Sequence, residues 1–320
     1  MPVSPILNIR PENWIWDFWH IQDGPSQHLF YLQAPRTLPD PELRHTNVSI
    51  GHAVSQDWIH WEILPDVLHP GPFFEEYTWT GSVIKHNNLW YLFYTSCTQA
   101  NGGYIQTVKY VTSTDLVTWS NRSEPVIELD PRWYEELDLD IWHDQSWRDP
   151  WVFKHPETGD FHAFLTARVN SRMHSGPSRE RGIVAHATSK DLHNWSVLPP
   201  VTQPGPFEIM ECPQLVEIEG LFYLLFAVPH RKLGGDPNAG TYYMTSKNRL
   251  GPFTDPKPLF VDLPGSLFSG KLIQDEERNT YFIAWRQFTA QKDFIGDILA
   301  PIPITLNRDG SLNIEFVAAA

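Results

Sequence analysis

Cysteine is nearly absent: Cys97 and Cys212 are the only two in 320 residues. Two thiols so far apart cannot build a disulfide framework, and no Cys/His spacing fits a zinc site, so neither a metal nor another cofactor is expected. Long hydrophobic runs are missing too, and none approaches the ~18 residues of a membrane span. Positive charge is scarce, with 24 Lys and Arg against 38 Asp and Glu and a formal charge of −14. That balance disfavours nucleic acid and anionic membranes as partners. The first residues carry no basic stretch followed by an apolar one, so a cytoplasmic protein is expected. No helical period persists beyond a few residues, and 28 prolines oppose long helices.

Aromatic residues are the abundant class, at 13% with 14 Trp. Most single Trp side chains are expected to pack inside a β-protein, but such an excess also suits flat sugar faces, which stack on indole. Hydrophobic residues at 41% permit a sizeable core.

A short aromatic and aliphatic segment recurs at 28–33, 89–95, 161–167, 221–227 and 280–286, with starts spaced by 61, 72, 60 and 59 residues. Each is bounded by turn formers and too short for a helix, so each reads as a buried strand. A second element, Ser-x-Asp-x-x-x-Trp, occurs as Ser55…Trp61, Ser113…Trp119 and Ser189…Trp195, with a degenerate copy at Ser246…Phe253. Its Asp can cap a tight turn while its Trp returns to pack between sheets, so it marks the outer turn of each unit. Five four-stranded units at this period predict an all-β fold, a five-bladed β-propeller with its active site on the central axis. The five units fill residues 1–320 as one domain and leave no room for a second. Polar inserts at 133–144 and 169–181 are expected to shape a pocket rim.

Three acidic motifs stand in near-equal register with this repeat: Trp16-Asp17-Phe18-Trp19, Trp147-Arg148-Asp149-Pro150 and Glu211-Cys212-Pro213. The carboxylates precede their blade's aromatic strand by 11, 12 and 10 residues. They are therefore expected on the innermost strands of blades one, three and four, at similar height. A lone Asp before a strand is usually an exposed turn residue; three in register point to one axis. Converging carboxyl groups suit a glycosidase, in which one attacks the sugar or activates water and another protonates the leaving oxygen.

These segments resemble glycoside hydrolase family 32. Glu211-Cys212-Pro213, Arg148-Asp149-Pro150 and Trp79-Thr80-Gly81-Ser82 are similar to that family's Glu-Cys-Pro, Arg-Asp-Pro and Trp-Ser-Gly-Ser motifs. Segments 28–31 and 51–61 are similar to two more, while Trp16-Asp17-Phe18-Trp19 is closer to the Trp-Asp-Ser-Trp of family 68. The resemblance implies a retaining enzyme for β-fructofuranosides such as sucrose or fructo-oligosaccharides. In it Asp17 is the nucleophile, Glu211 the general acid/base and Asp149 a transition-state stabiliser. It further implies a sugar pocket that includes Arg148, Trp79 and Ser82. Trp19 and Trp147 are candidate stacking walls, whereas Trp16 is expected in the core. Gln33 is a candidate substrate ligand, displaced by one residue from the family's Gln, whose place Leu32 takes. The family's usual Asn and Pro beside the nucleophile and its C-terminal β-sandwich are not expected here.

Two other functions remain open at this point. One is an inverting arabinofuranosidase or xylosidase of the family 43 type, with Asp17 acting as a base on water. The other is a sugar-binding propeller without catalysis. The partner in each case is a small carbohydrate, and the sequence is compatible with a homo-oligomer.

Overall fold

The computed structural model describes residues 6–7, 9–69, 76–98, 100, 102–229, 239–261, 266–289 and 291–315. It is all-β, with five antiparallel sheets arranged as the blades of a propeller. Blade one contains strands Asn13–Asp23, Ser26–Pro35, Ser49–Ser55 and Glu62–Leu68 in spatial order. Blade three contains Arg148–Lys154, Phe161–Arg168, Gly182–Ser189 and Trp195–Leu198. Blade four contains Glu211–Ile218, Leu221–Val228, Gly240–Ser246 and Thr254–Val261. The five recurring aromatic segments are the second strands, covered on both faces by neighbouring blades.

Two blades depart from the expected four regular strands. Blade two has three, Glu76–His86, Leu89–Thr98 and Gln106–Ser113. Its outer edge is covered instead by an irregular segment. The N–H groups of Ser120, Ser123 and Val126 donate there to carbonyls of Thr112, Tyr110 and Val108. Pro125 in that segment has no N–H to give, which suits an outer edge and opposes a regular inner ladder. Blade five begins with Leu267–Gln274 and Thr280–Phe288. The far side of the second strand is shared, Phe294–Leu299 pairing with Trp285–Phe288 and Ile302–Leu306 with Tyr281–Phe282. Ile6–Leu7, from the start of the chain, then pairs with Phe294–Leu299 (Ile6 opposite Leu299) and ties the first blade's entry to the last blade.

Four hydrophobic clusters fill the gaps between blades. Aromatic pairs dominate them: Trp19 stacks on Phe30 with ring centroids 6.2 Å apart, and Trp119 meets Phe30 edge-on at 5.9 Å. Losing one such buried aromatic costs about 3–5 kcal/mol. The Ser-x-Asp element is a turn as expected. In the first copy Asp57 Oδ1 accepts from the N–H groups of Ile59 and His60 at 2.9 and 2.8 Å, and the Ser55 hydroxyl donates to it at 3.0 Å. Asp115 and Asp191 repeat the pattern.

The innermost strands share one irregularity. Pairing with the second strand slips at Asp17, at Thr80, at Asp149-Pro150, at Cys212-Pro213 and at Ser269-Gly270, once in every blade. Asp17, Asp149, Cys212 and Ser269 sit there at φ of 33°, 57°, 51° and 49°, where Asp is tolerated and Cys and Ser are strained. A bulge of this kind bends the strand and re-aims a side chain. The bulges of the first four blades bring Asp17, Thr80, Asp149 and Cys212 to one central cavity.

Candidate active site

Asp17, Asp149 and Glu211 line one cavity of 460 Å³ at this level, with Trp16, Leu32, Trp79, Thr80, Arg148, Cys212, Phe268, Trp285 and Gln287 among its other walls. Each carboxylate is held from a neighbouring blade. Asp17 Oδ1 accepts from Trp285 Nε1 at 2.9 Å and its Oδ2 from the Thr80 hydroxyl at 3.2 Å. Asp149 Oδ2 accepts from the Thr166 hydroxyl at 2.8 Å and from the N–H of Cys212 at 2.9 Å. The bulges are tied between blades by threonines: Thr95 Oγ1 accepts from the N–H of Asp149, and Thr241 Oγ1 from that of Gly270.

Arg148 joins the acidic groups. Its Nη2 lies 2.5 Å from Glu211 Oε1, its Nη1 3.1 Å from Asp144 Oδ2, and its Nε 3.9 Å from Asp149 Oδ2. Asp144 ends the polar insert that was expected at the rim. It is held by the Ser146 hydroxyl at 2.5 Å and by Gln106 Nε2 at 3.2 Å. His143 beside it also reaches the cavity. A buried clamp supports both inserts: Arg168 and Arg181 each hold Glu135 at 2.7 Å, and Arg168 lies 3.7 Å over the ring of Trp142.

Burial and crowding of like charge set the proton affinities. Asp17 is pushed up to about 7, first by burial, then by the charges of Asp149 and Glu211, against the opposing Trp285 N–H and Lys271 ammonium. Glu211 is also raised, by burial foremost, with Arg148 pulling the other way. Burial opposes the charge on Arg148, but Asp144, Glu211 and Asp149 outweigh it and raise its affinity for the proton. Burial works likewise against the charge on Asp144, where Arg148 prevails and holds the carboxyl below its usual range. Clustered carboxyls of this kind share protons, so each titration step belongs to the group. Carboxyl groups whose environments separate their proton affinities, in a cleft, are the equipment of acid/base and nucleophilic chemistry.

Several sequence expectations require correction. Trp19 is fully buried between blades, and Trp147 is also fully buried, giving its indole N–H to the Ile127 carbonyl at 3.0 Å; neither walls the cavity. Gln33 lies away from the cavity, between Asn13 and Asp66, because the residue after Leu32 points to the opposite face of the strand. Ser82 is a cross-blade tie, donating to the Pro150 carbonyl at 2.7 Å and accepting from the Val152 N–H at 2.9 Å. Trp16, expected in the core, is 2% exposed yet contributes to the cavity wall beside Trp79.

Sequence reasoning missed Asp144, Gln106, Trp285 and Lys271. Lys271 did carry a signal, as a lone cation in an otherwise apolar or small inner strand. A larger groove of 610 Å³ between blades four and five includes Glu217, Glu277 and Arg278 but none of the motif carboxylates. Size alone does not mark the site.

A five-bladed propeller with opposed carboxyls at its axis is a glycosidase architecture. Comparison with known proteins gives the family: the model of the glycosyl hydrolases family 32 N-terminal domain matches residues 21–296, and the chain belongs to that family of glycoside hydrolases. It is 26% identical to an extracellular sucrase of Zymomonas mobilis, over 96% of this chain and 82% of the sucrase. It is 25% identical to a sucrose-6-phosphate hydrolase of the same organism, over 81% of this chain and 49% of that one. Among solved structures, the inulosucrase of Halalkalicoccus jeotgali bound to kestose superposes with a TM-score of 0.80 at 19% identity, covering 98% of this chain and 90% of that one. A family 32 β-fructofuranosidase of Bombyx mori gives 0.72 at 20% identity, covering 99% and 65%. At these identities the structural likeness speaks for the fold.

Proposed function

We propose that this protein is a retaining β-fructofuranosidase, with Asp17 as nucleophile, Glu211 as general acid/base and Asp149 as the carboxylate that holds sugar hydroxyls and steadies positive charge in the transition state. The observation that carries the reading is the delivery of all three carboxyls into one cavity, Asp17 and Asp149 on the bulges of their blades and Glu211 immediately before the bulge of its own. The relatives named as sucrases supply the substrate class. An oxocarbenium-like transition state gains from the nearby negative charge, and a raised Glu211 can carry the proton that the leaving oxygen needs. Trp285 and Thr80 hold Asp17 by both oxygens and so fix its line of attack. Arg148 bridges Glu211 and Asp144 in the free protein and is placed to grip hydroxyls once a sugar enters. Trp16 and Trp79 offer the apolar walls.

Asp17→Asn should abolish release of fructose from sucrose and kestose, and Glu211→Gln should lower kcat by about 10²–10⁴-fold with folding retained. Near-wild-type turnover in either variant would remove the assignment. Product anomer by NMR distinguishes retention from the inversion of a water-activating mechanism. The cytoplasmic location expected from sequence belongs to this proposal as well, and sucrase activity found in the culture medium rather than in lysate would overturn it.

A further inference from the structure

Lys271 is a buried cation that the reaction outlined above leaves unused. It is 2% exposed and stands in the inner strand Leu267–Gln274, immediately after the bulge of blade five. Glycine before it permits that bend. A Cβ on Gly270 would lie 2.3 Å from the Phe282 ring and 2.6 Å from Thr241 Oγ1. The Lys271 ammonium donates to the Cys212 carbonyl at 2.5 Å, on the bulge beside Glu211. A buried ammonium with one neutral acceptor is costly unless negative charge stands near. Burial presses the Lys271 ammonium toward losing its proton, and Cys212, Asp149 and Asp17 oppose that loss; Lys271 is not among the cavity walls, so it acts on the carboxylates from behind.

We propose that Lys271 is a positioning residue for the fructoside reaction: from behind the pocket it braces the bulge that follows Glu211, and its positive charge favours the carboxylate form of the Asp17 nucleophile. The inference rests on the fructofuranosidase reading. Two buried carboxylates facing one another tend to share a proton, and a protonated nucleophile cannot attack. The groups that act on Asp17 are Asp149, Glu211, the Trp285 N–H, the Thr80 hydroxyl and Lys271, with Arg44 across the pocket. Arg148 faces Asp149 at 3.9 Å but is shared with Glu211 and Asp144, which it holds at 2.5 and 3.1 Å. Cys212 and His20 also face Lys271. Burial, and then Lys271 itself, lower the His20 pKa to about 4, so this imidazole adds no competing charge near neutrality.

The test compares Lys271→Gln, which can still donate to the Cys212 carbonyl but carries no charge, with Lys271→Met, which does neither. Initial rates of fructose release from sucrose are measured across the pH range for the full chain. The acidic limb of kcat/KM should move up by about one pH unit in both variants, the scale of losing one opposite charge nearby. Below the limb this lowers the rate about ten-fold, because a group that titrates about one pH unit higher keeps only about a tenth of its ionised form there. KM should stay within about two-fold, as for a group that does not touch the sugar. A Lys271→Gln protein with its acidic limb unmoved overturns the proposal, whatever its melting temperature, and leaves only a structural brace. Should Lys271→Met fail to fold, Lys271→Gln decides alone. Wild-type protein that releases fructose from no fructoside would instead overturn the function reading beneath it.

Discussion

Replacing Arg148 by Met should destabilise the protein in a pH-dependent way. Arg148 is 6% exposed, and among the described residues it is the only cation with an ion pair to Glu211 or Asp144 other than His143, which lies 3.5 Å from Asp144. Its removal leaves two carboxyls and Asp149 in a buried setting, and breaking a buried pair in this manner costs about 3–5 kcal/mol. The loss is largest where the carboxyls are charged. In the variant Glu211, already raised by burial, loses the guanidinium that pulled it down, and Asp144 loses the charge that held it below its usual range, so burial raises both and the folded state binds more protons than the unfolded chain. Stability then falls as pH rises through the raised values and recovers, by up to about 1.4 kcal/mol per pH unit for each proton taken up, as pH drops toward 5. Urea unfolding at pH 8, 6.5 and 5 measures this directly. Equal destabilisation of variant against wild type at all three pH values, or less than about 1 kcal/mol at pH 8, would refute the reasoning that Arg148 neutralises buried charge.

Ser82→Ala should cost about 2 kcal/mol, since it strands the Pro150 carbonyl and the Val152 N–H between blades, while KM for sucrose changes little; a large rise in KM with unchanged stability would instead place Ser82 against the sugar. The buried pairs His28–His52 and His162–His186, each 2.9 Å apart at equivalent places in blades one and three, predict sensitivity to acid. Burial lowers His52 and His186 to about 3 and His162 to about 4. Their neutral forms cost nothing above pH 6.5, and stability is lost as pH falls below 6.5 toward those lowered values, where the unfolded chain takes the protons first. His52→Gln should therefore flatten the decline of unfolding free energy between pH 6.5 and 4; an unchanged slope would exclude this pair as its source.

Much of the fold was legible because a repeat multiplies weak local signals. One aromatic segment such as 89–95 could be any buried strand, but five at a near-constant period demand a ring. The Ser-x-Asp turns were equally readable, since a carboxylate that satisfies the amides two and three residues onward is a local event. The shared outer edge of blade five was hidden, because it depends on Phe294–Leu299 and Ile302–Leu306 dividing one partner strand.

The motif carboxylates were found by the register that Asp17, Asp149 and Glu211 keep with that repeat, and the chemical kinds of residue at the site follow from sequence alone. Which neighbours surround them does not. Trp16 and Trp19 lie opposite Leu32 and Phe30, on one face of the sheet, yet the first reaches the pocket and the second is buried between blades, a difference of depth along the strand. Gln33 differs from Leu32 by one step and so by one face of the sheet. Asp144, Trp285 and Lys271 arrive from an insert and from blade five, and no spacing in the chain announces their meeting with Asp17, Asp149 and Glu211. Strand period and turn chemistry act over a few residues and can be read from them. The charge balance at the axis is a sum over five blades, and closing the ring is what brings its members together.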